Sequence, residues 1–444
     1  MIAGGFALAI LAGTLLLMLP FATAEGESTG FLDALFTSAT SICVTGLTTV
    51  TTATHWSRFG KIVILLLIQL GGLGVITVMM LLLMLLGKLM TIKDRMLVQD
   101  TYNLAGTGGV ARLVRRIAAG TLLVEGVGAL CYSLVFIPRF GPAEGIWQSV
   151  FLSVSAFCNA GIDILGESSL SPFVGDVWIN AVTMALIILG GLGFLVWGDL
   201  LTGVKREKEH RREHRFFKRL TLHTKVVLTA TAVLIGVGTV LIFLLESGNP
   251  ETLGGMSLGK KWLAALFQSV TFRTAGFFTI PQDGLTGGSL LIAYIWMLIG
   301  GSPAGTAGGI KTTTAVMVLL CIASVVRGRP DSRAFGRKIP DENIRSALAV
   351  MMIGIFAVFA GALILCVTEP FPLPDILFEA VSAVGTVGLS RGITASLSSV
   401  GKVVIIAMMF MGRIGPITLV MAFAARRRKA QPNIQLPEER ILIG

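Results

Sequence analysis

The sequence predicts an all-α polytopic membrane protein with eight transmembrane helices, organised as four tandem repeats. Three observations predict this fold: the composition, eight apolar runs and an internal repeat. Of the 444 residues, 54% are hydrophobic and 14% are charged. Soluble domains carry roughly 25% charged residues, so lipid rather than water is the expected solvent for most of the chain.

Eight apolar runs approach the length needed to cross a bilayer, about 20 residues each. The first is preceded by no Lys or Arg and continues into a polar loop that recurs later, so we interpret it as a retained helix rather than a signal peptide. Glycines and a proline interrupt the sixth. The runs are residues 2–19, 62–86, 117–137, 181–200, 226–245, 290–325, 347–367 and 403–423.

Positive charge is concentrated in segments that would lie on one side of the membrane. The net charge is +11, and 26 of the 36 lysines and arginines fall within residues 88–116, 205–225, 327–345 and 426–440. Cytoplasmic loops of membrane proteins carry such an excess. We therefore expect a multi-pass membrane protein with both termini in the cytoplasm, and no nucleic-acid partner.

Residues that carry enzyme chemistry are sparse in the predicted spans. None of the four histidines lies in a span, acidic residues lie mostly at span ends, and the five cysteines show no CxxC spacing. His210 and His214 are spaced i, i+4, but their Lys/Arg/Glu-rich surroundings favour a solvated loop over a metal site. We expect no enzyme activity, no catalytic residue, no disulfide framework and no organic cofactor.

A short helical pattern followed by a glycine turn occurs four times, each time between two apolar runs. The copies occupy residues 32–47, 147–162, 263–277 and 374–389. Their last glycines, separated by 115, 115 and 112 residues, are Gly46, Gly161, Gly276 and Gly388. This even spacing divides the chain into repeats at residues 1–90, 112–201, 225–326 and 345–425, followed by a cytoplasmic tail at 426–444.

Each repeat contains two crossings, and this number sets the symmetry. An even number returns each copy to the same orientation, so that an axis along the membrane normal relates the copies. The short helix cannot span, and the backbone after it is tolerated at membrane depth only where it lines a wet cavity. Each repeat is therefore predicted to be an M1–pore helix–M2 unit, with the four units in a pseudo-fourfold arrangement around a central pore.

The four loops have a composition suited to binding an alkali cation through backbone oxygens. Carbonyl rings from four convergent loops replace the hydration shell of K+ in potassium channels, and glycine supplies the positive φ that such a turn needs. For any single glycine, a turn or tight helix packing is the alternative. The residues assigned to this filter are Cys43, Val44, Thr45, Gly46, Cys158, Asn159, Ala160, Gly161, Thr274, Ala275, Gly276, Gly385, Thr386, Val387 and Gly388.

A second glycine signature begins within each M2, at Gly71, Gly190, Gly300 and Gly412, and we interpret it as close helix packing. In repeat three it continues into a segment around a proline that cannot hold a continuous helix. A phosphate loop needs Gly directly before Lys, whereas Ile310 intervenes. We interpret the segment as a gate, with a passive kink as the alternative. It comprises Gly301, Ser302, Pro303, Ala304, Gly305, Thr306, Ala307, Gly308, Gly309 and Lys311.

Arg413 is a charge within an apolar M2, at the position that glycine occupies in the other three repeats. A charge in the membrane is costly and usually faces a cavity or a partner. We assign Arg413 to the gate as a fixed positive charge beside the pore. The alternative is a structural salt bridge, with Glu379 as its partner.

The motifs CVTGL, NAGID, RTAGF and GTVGLS, together with GGSPAGTAGGIKTTT and LPEERILIG, resemble those of the Trk/Ktr/HKT superfamily of potassium transporters. The chain is most similar to the Ktr membrane subunit, and the resemblance covers nearly its full length. It implies potassium uptake through a filter containing Gly46, Gly161, Gly276 and Gly388, a gating loop near residues 302–311 and a critical Arg413. Phe278, where the family usually has Asn, departs from the pattern at the outer mouth.

The resemblance also implies partners. These are a second copy in a homodimer and a cytosolic ring of RCK-type regulatory subunits that bind ATP or ADP, with K+ as the ligand of this chain and Na+ as a possible stimulant. An alternative of the same architecture is a sodium-permeable or weakly selective cation transporter.

Overall fold

The described residues fold almost entirely into α-helices. The structure is a computed structural model, and it describes residues 2–86, 91, 96, 109–209 and 216–415. The first half of the chain forms α1 (Ile2–Leu17), α2 (Phe31–Cys43), α3 (Thr52–His55), α4 (Arg58–Leu73), α5 (Val75–Leu85), α6 (Val110–Phe140), α7 (Pro142–Cys158), α8 (Val177–Leu192) and α9 (Phe194–Glu209). The predicted tail at residues 426–444 lies outside the described residues.

The second half forms α10 (Phe216–Arg219), α11 (Leu222–Glu246), α12 (Leu258–Thr271), α13 (Gly287–Leu298), α14 (Thr312–Val326), α15 (Asp341–Thr368), α16 (Leu373–Gly385) and α17 (Ser399–Ile414). Between α14 and α15, β1 (Arg333–Ala334) pairs antiparallel with β2 (Arg337–Lys338). The sequence analysis did not predict this hairpin.

Three helices among the described residues, α6, α11 and α15, are long and apolar enough to cross a membrane. The number rises to five if α4 with α5, and α8 with α9, each form one bent span. The remaining predicted spans fall on the shorter helices α1, α13, α14 and α17. The count of eight therefore stays a prediction.

The second helices of three repeats end at a glycine of positive φ, where the sequence analysis expected continuous spans in repeats one and two. Gly74 has φ 84°, Gly193 has φ 91° and Gly415 has φ 87°. The two helices joined at Gly74 are bent by 101°, and those joined at Gly193 by 96°. A positive φ cannot continue a right-handed helix, so the predicted runs at 62–86 and 181–200 are each broken.

The four short helices α2, α7, α12 and α16 are held in a closed order by their neighbours. Helix α4 packs on α7, α8 on α12, α13 on α16, and α17, the last described helix, on α2. One continuous hydrophobic core includes residues from all of these helices. The C-terminal ends of the four short helices therefore come together.

Candidate ion-binding site

The glycines of the four predicted loops lie in one closed ring. A Cβ built on Gly46 would lie 2.6 Å from the carbonyl oxygen of Ala160 and 3.2 Å from the Cα atoms of both Gly161 and Gly388. A Cβ on Gly276 would lie 2.7 Å from the Cα of Gly161 and 3.5 Å from that of Gly388. Each glycine thus contacts both of its neighbours in the ring, and none has room for a side chain.

Four carbonyl groups belong to this ring, one from each loop. They are those of the residues directly before the glycines, and each oxygen lies beside the glycine of the preceding loop, with the first loop following the fourth. A Cβ built on the adjoining glycine would contact the oxygens of Thr45, Ala160, Ala275 and Val387. Oxygens converging from four directions can replace the water around an alkali cation.

Each loop adopts the same unusual backbone conformation. The residue two before each glycine is left-handed, with φ of 55° at Val44, 58° at Asn159, 61° at Thr274 and 51° at Thr386. For β-branched residues such a conformation is a genuine outlier, and outliers of this kind concentrate at functional sites. The sequence analysis assigned positive φ to the glycines only, because propensity argues against Val and Thr there.

In the first, second and fourth loops the left-handed residue terminates the short helix in a Schellman arrangement, whereas in the third loop the helix ends at Thr271, three residues before the left-handed Thr274. In the first loop, the N–H of Val44 donates to the carbonyl of Ser41 at 3.2 Å and that of Thr45 to the carbonyl of Thr40 at 2.9 Å. The N–H of Ala160 and that of Val387 each donate to a carbonyl five residues earlier at 2.8 Å. The negative ends of the helix dipoles therefore face the ring, which favours a cation.

A hydroxyl from each short helix fastens the loop that follows it. Thr40 Oγ1 accepts from the N–H of Gly46 at 3.0 Å, and Ser382 Oγ accepts from the N–H of Gly388 at 3.1 Å. Ser155 donates to the carbonyl of Ile162 at 2.5 Å, and Thr271 donates to that of Phe277. The sequence analysis missed these residues as a functional set, although a Ser or Thr five or six residues before each glycine is visible in all four copies.

The M2 glycines seat these helices against the ends of the short helices. A Cβ on Gly71 would contact the carbonyl of Ile42, one on Gly190 that of Phe157, and one on Gly412 that of Val384. Gly72 faces the loops as well, because its Cβ would contact the Sγ of Cys158. These contacts support the packing interpretation of the signature.

The segment between α13 and α14 lies directly against the second and fourth loops. Ser302 and Thr306 donate backbone N–H groups to the carbonyls of Gly191 and Gly190 at 2.8 and 3.1 Å. The hydroxyl of Thr306 donates to the carbonyl of Phe157, the penultimate residue of α7, at 2.9 Å. A Cβ on Gly308 would contact the side chain of Thr386.

Two cationic side chains hold this segment. Lys311 Nζ donates to the carbonyl of Ala307 at 2.7 Å. The guanidinium of Arg413 donates to the carbonyl of Thr306 in the segment and to that of Gly71 in repeat one. Glu379, the salt-bridge partner considered from the sequence, instead accepts a hydrogen bond from the hydroxyl of Thr394. Arg413 therefore links the segment to a different repeat through backbone oxygens.

Comparison with known proteins gives consistent similarities. Residues 7–431 match the family model TrkH, described as cation transport protein. The chain is 40% identical to the potassium/sodium uptake protein NtpJ of Enterococcus hirae, covering 100% of this chain and 96% of that protein. It is 40% identical to the Ktr system potassium uptake protein B of Bacillus subtilis, covering 99% and 95% respectively.

A solved structure has the same overall fold. The potassium transporter TrkH from Vibrio parahaemolyticus superposes with a TM-score of 0.74 at 17% sequence identity. The match covers 96% of this chain and 86% of that chain. At this identity, the similarity establishes the fold alone.

Proposed function

The chain belongs to the TrkH family of cation transport proteins, which are membrane ion transporters and not enzymes, and we propose that it is the membrane subunit of a potassium uptake system of the Ktr type. The observation that carries the proposal is the closed ring of four loops, in which one carbonyl from each loop lies at the glycine of the preceding loop. The same site is supported by a left-handed residue in each loop, by a Ser or Thr hydrogen bond to each loop, and by the C-terminus of a short helix at each loop. In this function the ring is the selectivity filter, and K+ is its ligand.

The proposal includes the architecture inferred from the sequence. The helices are taken as four M1–pore helix–M2 repeats with eight spans, bounded as in the sequence analysis. Support comes from the packing order, because each M2 lies on the pore helix of the next repeat and the fourth lies on that of the first. A pseudo-fourfold axis through the glycine ring accounts for this order.

In the same proposal, residues 301–309 form the gate, with Lys311 and Arg413 holding it closed. The segment contacts pore helix two through Thr306 and loop four through Gly308. Its displacement would therefore act on two sides of the filter at once. The hydrogen bond from Arg413 to the carbonyl of Gly71 also connects the gate to repeat one.

Partners complete the proposed system. Two relatives carry the name of the Ktr system, and a system implies a further component. We take this to be a cytosolic RCK-type ring that binds ATP or ADP, docked on residues 205–225 and the tail at 426–444. A homodimer, a bacterial plasma membrane location and cytoplasmic termini belong to the same proposal.

Serine at Gly46 tests the filter. Gly46 has φ 102°, and its new Cβ would lie 2.6 Å from the carbonyl oxygen of Ala160, so the ring must distort. We expect potassium uptake into proteoliposomes to fall and the K+/Na+ uptake ratio to fall about tenfold, equivalent to about 1.4 kcal/mol. The measurement is rubidium or potassium flux with sodium as competitor, on protein shown to be folded by size-exclusion chromatography.

Gly392→Ser is the matched control. Gly392 has φ 92° but nothing within 4 Å of its built Cβ, so serine imposes similar backbone strain away from the ring. Its K+/Na+ ratio should equal that of the wild type. Equal ratios for Gly46→Ser and the wild type would refute the filter assignment.

A second candidate is a sodium-permeable or weakly selective cation transporter of the same fold. It is favoured by the name of one relative, a potassium/sodium uptake protein. The same flux assay distinguishes the two candidates, because the weakly selective transporter requires comparable uptake of K+ and Na+ by the wild type.

A further inference from the structure

A buried carboxyl group lies behind the second loop, at the junction between repeats one and two. The side chain of Glu125, on α6, is 5% exposed. Its Oε2 accepts a hydrogen bond from Gln69 Nε2 of α4 at 3.1 Å. Cys158 Sγ, at the end of α7, lies 3.7 Å from both Glu125 Oε1 and Gln69 Oε1. The three groups form one hydrogen-bonded cluster, and Cys158 directly precedes the left-handed residue Asn159.

Three M1 residues are placed alike by a shared bond from the pore helix. Ser38 donates to the carbonyl of Ile10 at 2.7 Å, Ser153 to that of Glu125 at 2.6 Å, and Ser269 to that of Ile235 at 2.9 Å. In each case, the glycine three residues after the M1 residue that accepts this bond packs against the same serine. In repeat four the equivalent glycine is Gly361, so Val358, three residues before it, is the corresponding M1 residue.

Gln69 also has three equivalents, two residues before each M2 glycine. They are Ile188, Leu298 and Phe410. At the other three junctions the corresponding pairs are thus Ile188 with Ile235, Leu298 with Val358, and Phe410 with Ile10. Val358 and Ile10 are buried in the hydrophobic core, and the other four side chains are partly buried and pack against it. One junction of four carries a polar pair where the other three are apolar.

Such a pair is costly to bury. A polar group removed from water loses its hydration unless hydrogen bonds replace it, and an ionisable side chain at membrane depth is a functional-site hypothesis by default. Packing alone does not require this pair, because three equivalent junctions pack without one. The hydrogen bonds of the cluster fix the thiol of Cys158, and they therefore also fix the start of the second loop.

We propose that Glu125, Gln69 and Cys158 form a polar brace that fixes the second loop and thereby sets the discrimination between K+ and Na+. The inference rests on the proposed function. Glu125 acts as a positioning residue through Cys158 and touches no ion. The carbonyl of Ala160, two residues beyond Cys158, is the ring oxygen that depends on this brace.

Three variants test the brace in the flux assay. Glu125→Gln keeps a hydrogen-bonding side chain of the same length, and its K+/Na+ ratio should stay within about twofold of the wild type. Glu125→Ile removes the carboxylate, so Gln69 and Cys158 lose their shared hydrogen-bond partner, and the K+/Na+ ratio should fall about tenfold. Glu125→Ile with Gln69→Ile reproduces the apolar pair of the other junctions, and should recover thermal stability without recovering the ratio.

The control is Gly126→Ala, the next residue along α6, which has nothing within 4 Å of its built Cβ and should keep the wild-type ratio. A wild-type ratio in the double variant would show that the cluster only packs, and would overturn the inference. A tenfold loss in Glu125→Gln would overturn it too, because the brace would survive in that variant. If Gly46→Ser alters the ratio and the Glu125 variants do not, the brace fails and the filter stands. Absence of potassium uptake by the wild type would overturn both.

Discussion

Three side chains in and beside the proposed gate segment bond to backbone carbonyls rather than to other side chains. Thr306, Lys311 and Arg413 all donate to main-chain oxygens. A carbonyl carries no net charge, so its hydrogen bonds to a guanidinium link two segments without neutralising the positive charge. The sequence placed Arg413 in an apolar helix, but it could not indicate which carbonyls the side chain reaches, because they lie 342 and 107 residues away.

Substitution of Arg413 distinguishes two roles for this side chain: a structural link that holds the segment closed, and a positive charge that limits cation flux. If the carbonyl bonds hold the segment closed, Arg413→Ala should raise potassium flux several-fold in folded protein, and Arg413→Lys should raise it too, since one ammonium cannot reproduce the planar guanidinium fork. If the positive charge alone limits flux, Lys should match the wild type while Ala rises. Flux in proteoliposomes, normalised to protein amount, is the measurement.

At the scale of elements, the sequence predicted the glycines of the four loops and the glycines that pack helices together, but it missed the glycines at which helices bend. Even spacing located four loops, since a repeat must reproduce its turn at a fixed distance. The bends at Gly74 and Gly193 were missed because GGLG in an apolar run is typical of packing, and φ depends on what the chain contacts after the turn. At Gly193 that contact is with the proposed gate segment, because Phe194 donates its N–H to the carbonyl of Ala304 at 2.8 Å.

Two glycines in repeat two provide a matched test of the bend. Gly193 has φ 91°, and its built Cβ would contact the carbonyl of Pro303, so Gly193→Ala should destabilise the protein by about 1–2 kcal/mol. Gly198 lies within α9 with nothing near its built Cβ, so Gly198→Ala should stabilise by up to about 1 kcal/mol. Apparent melting temperatures should shift in opposite directions. A common direction would argue against a required bend at Gly193.

At the scale of the whole molecule, three of the four junctions between the proposed repeats carry a polar contact, an ion pair at two of them and a hydrogen bond at the third. Arg58 at the start of α4 pairs with Glu144 of α7 at 2.7 Å, and Lys402 of α17 pairs with Asp33 of α2 at 2.8 Å. Tyr294 of α13 donates to the carbonyl of Pro374 in α16 at 2.9 Å. Each contact joins the second helix of one proposed repeat to the short helix of the following one. Composition and periodicity predicted the helices, but these long-range pairs lie beyond any local pattern.

The ion pair between Lys402 and Asp33 closes the ring, because it joins the last described helix to the first pore helix. Its side chains are 15% and 31% exposed, whereas those of Arg58 and Glu144 are 66% and 42% exposed. Solvent screens the exposed pair more strongly, so its coupling should be a few tenths of a kcal/mol, against roughly 1 kcal/mol or more for the shielded pair.

Double-mutant cycles with Lys402→Met and Asp33→Asn, and with Arg58→Met and Glu144→Gln, measure both couplings by thermal unfolding. Each pair holds a short helix that carries a loop, but the shielded pair holds its helix more firmly. Loss of the Lys402 pair should therefore lower the K+/Na+ ratio more than loss of the Arg58 pair. Equal couplings would contradict a special role for the closing junction.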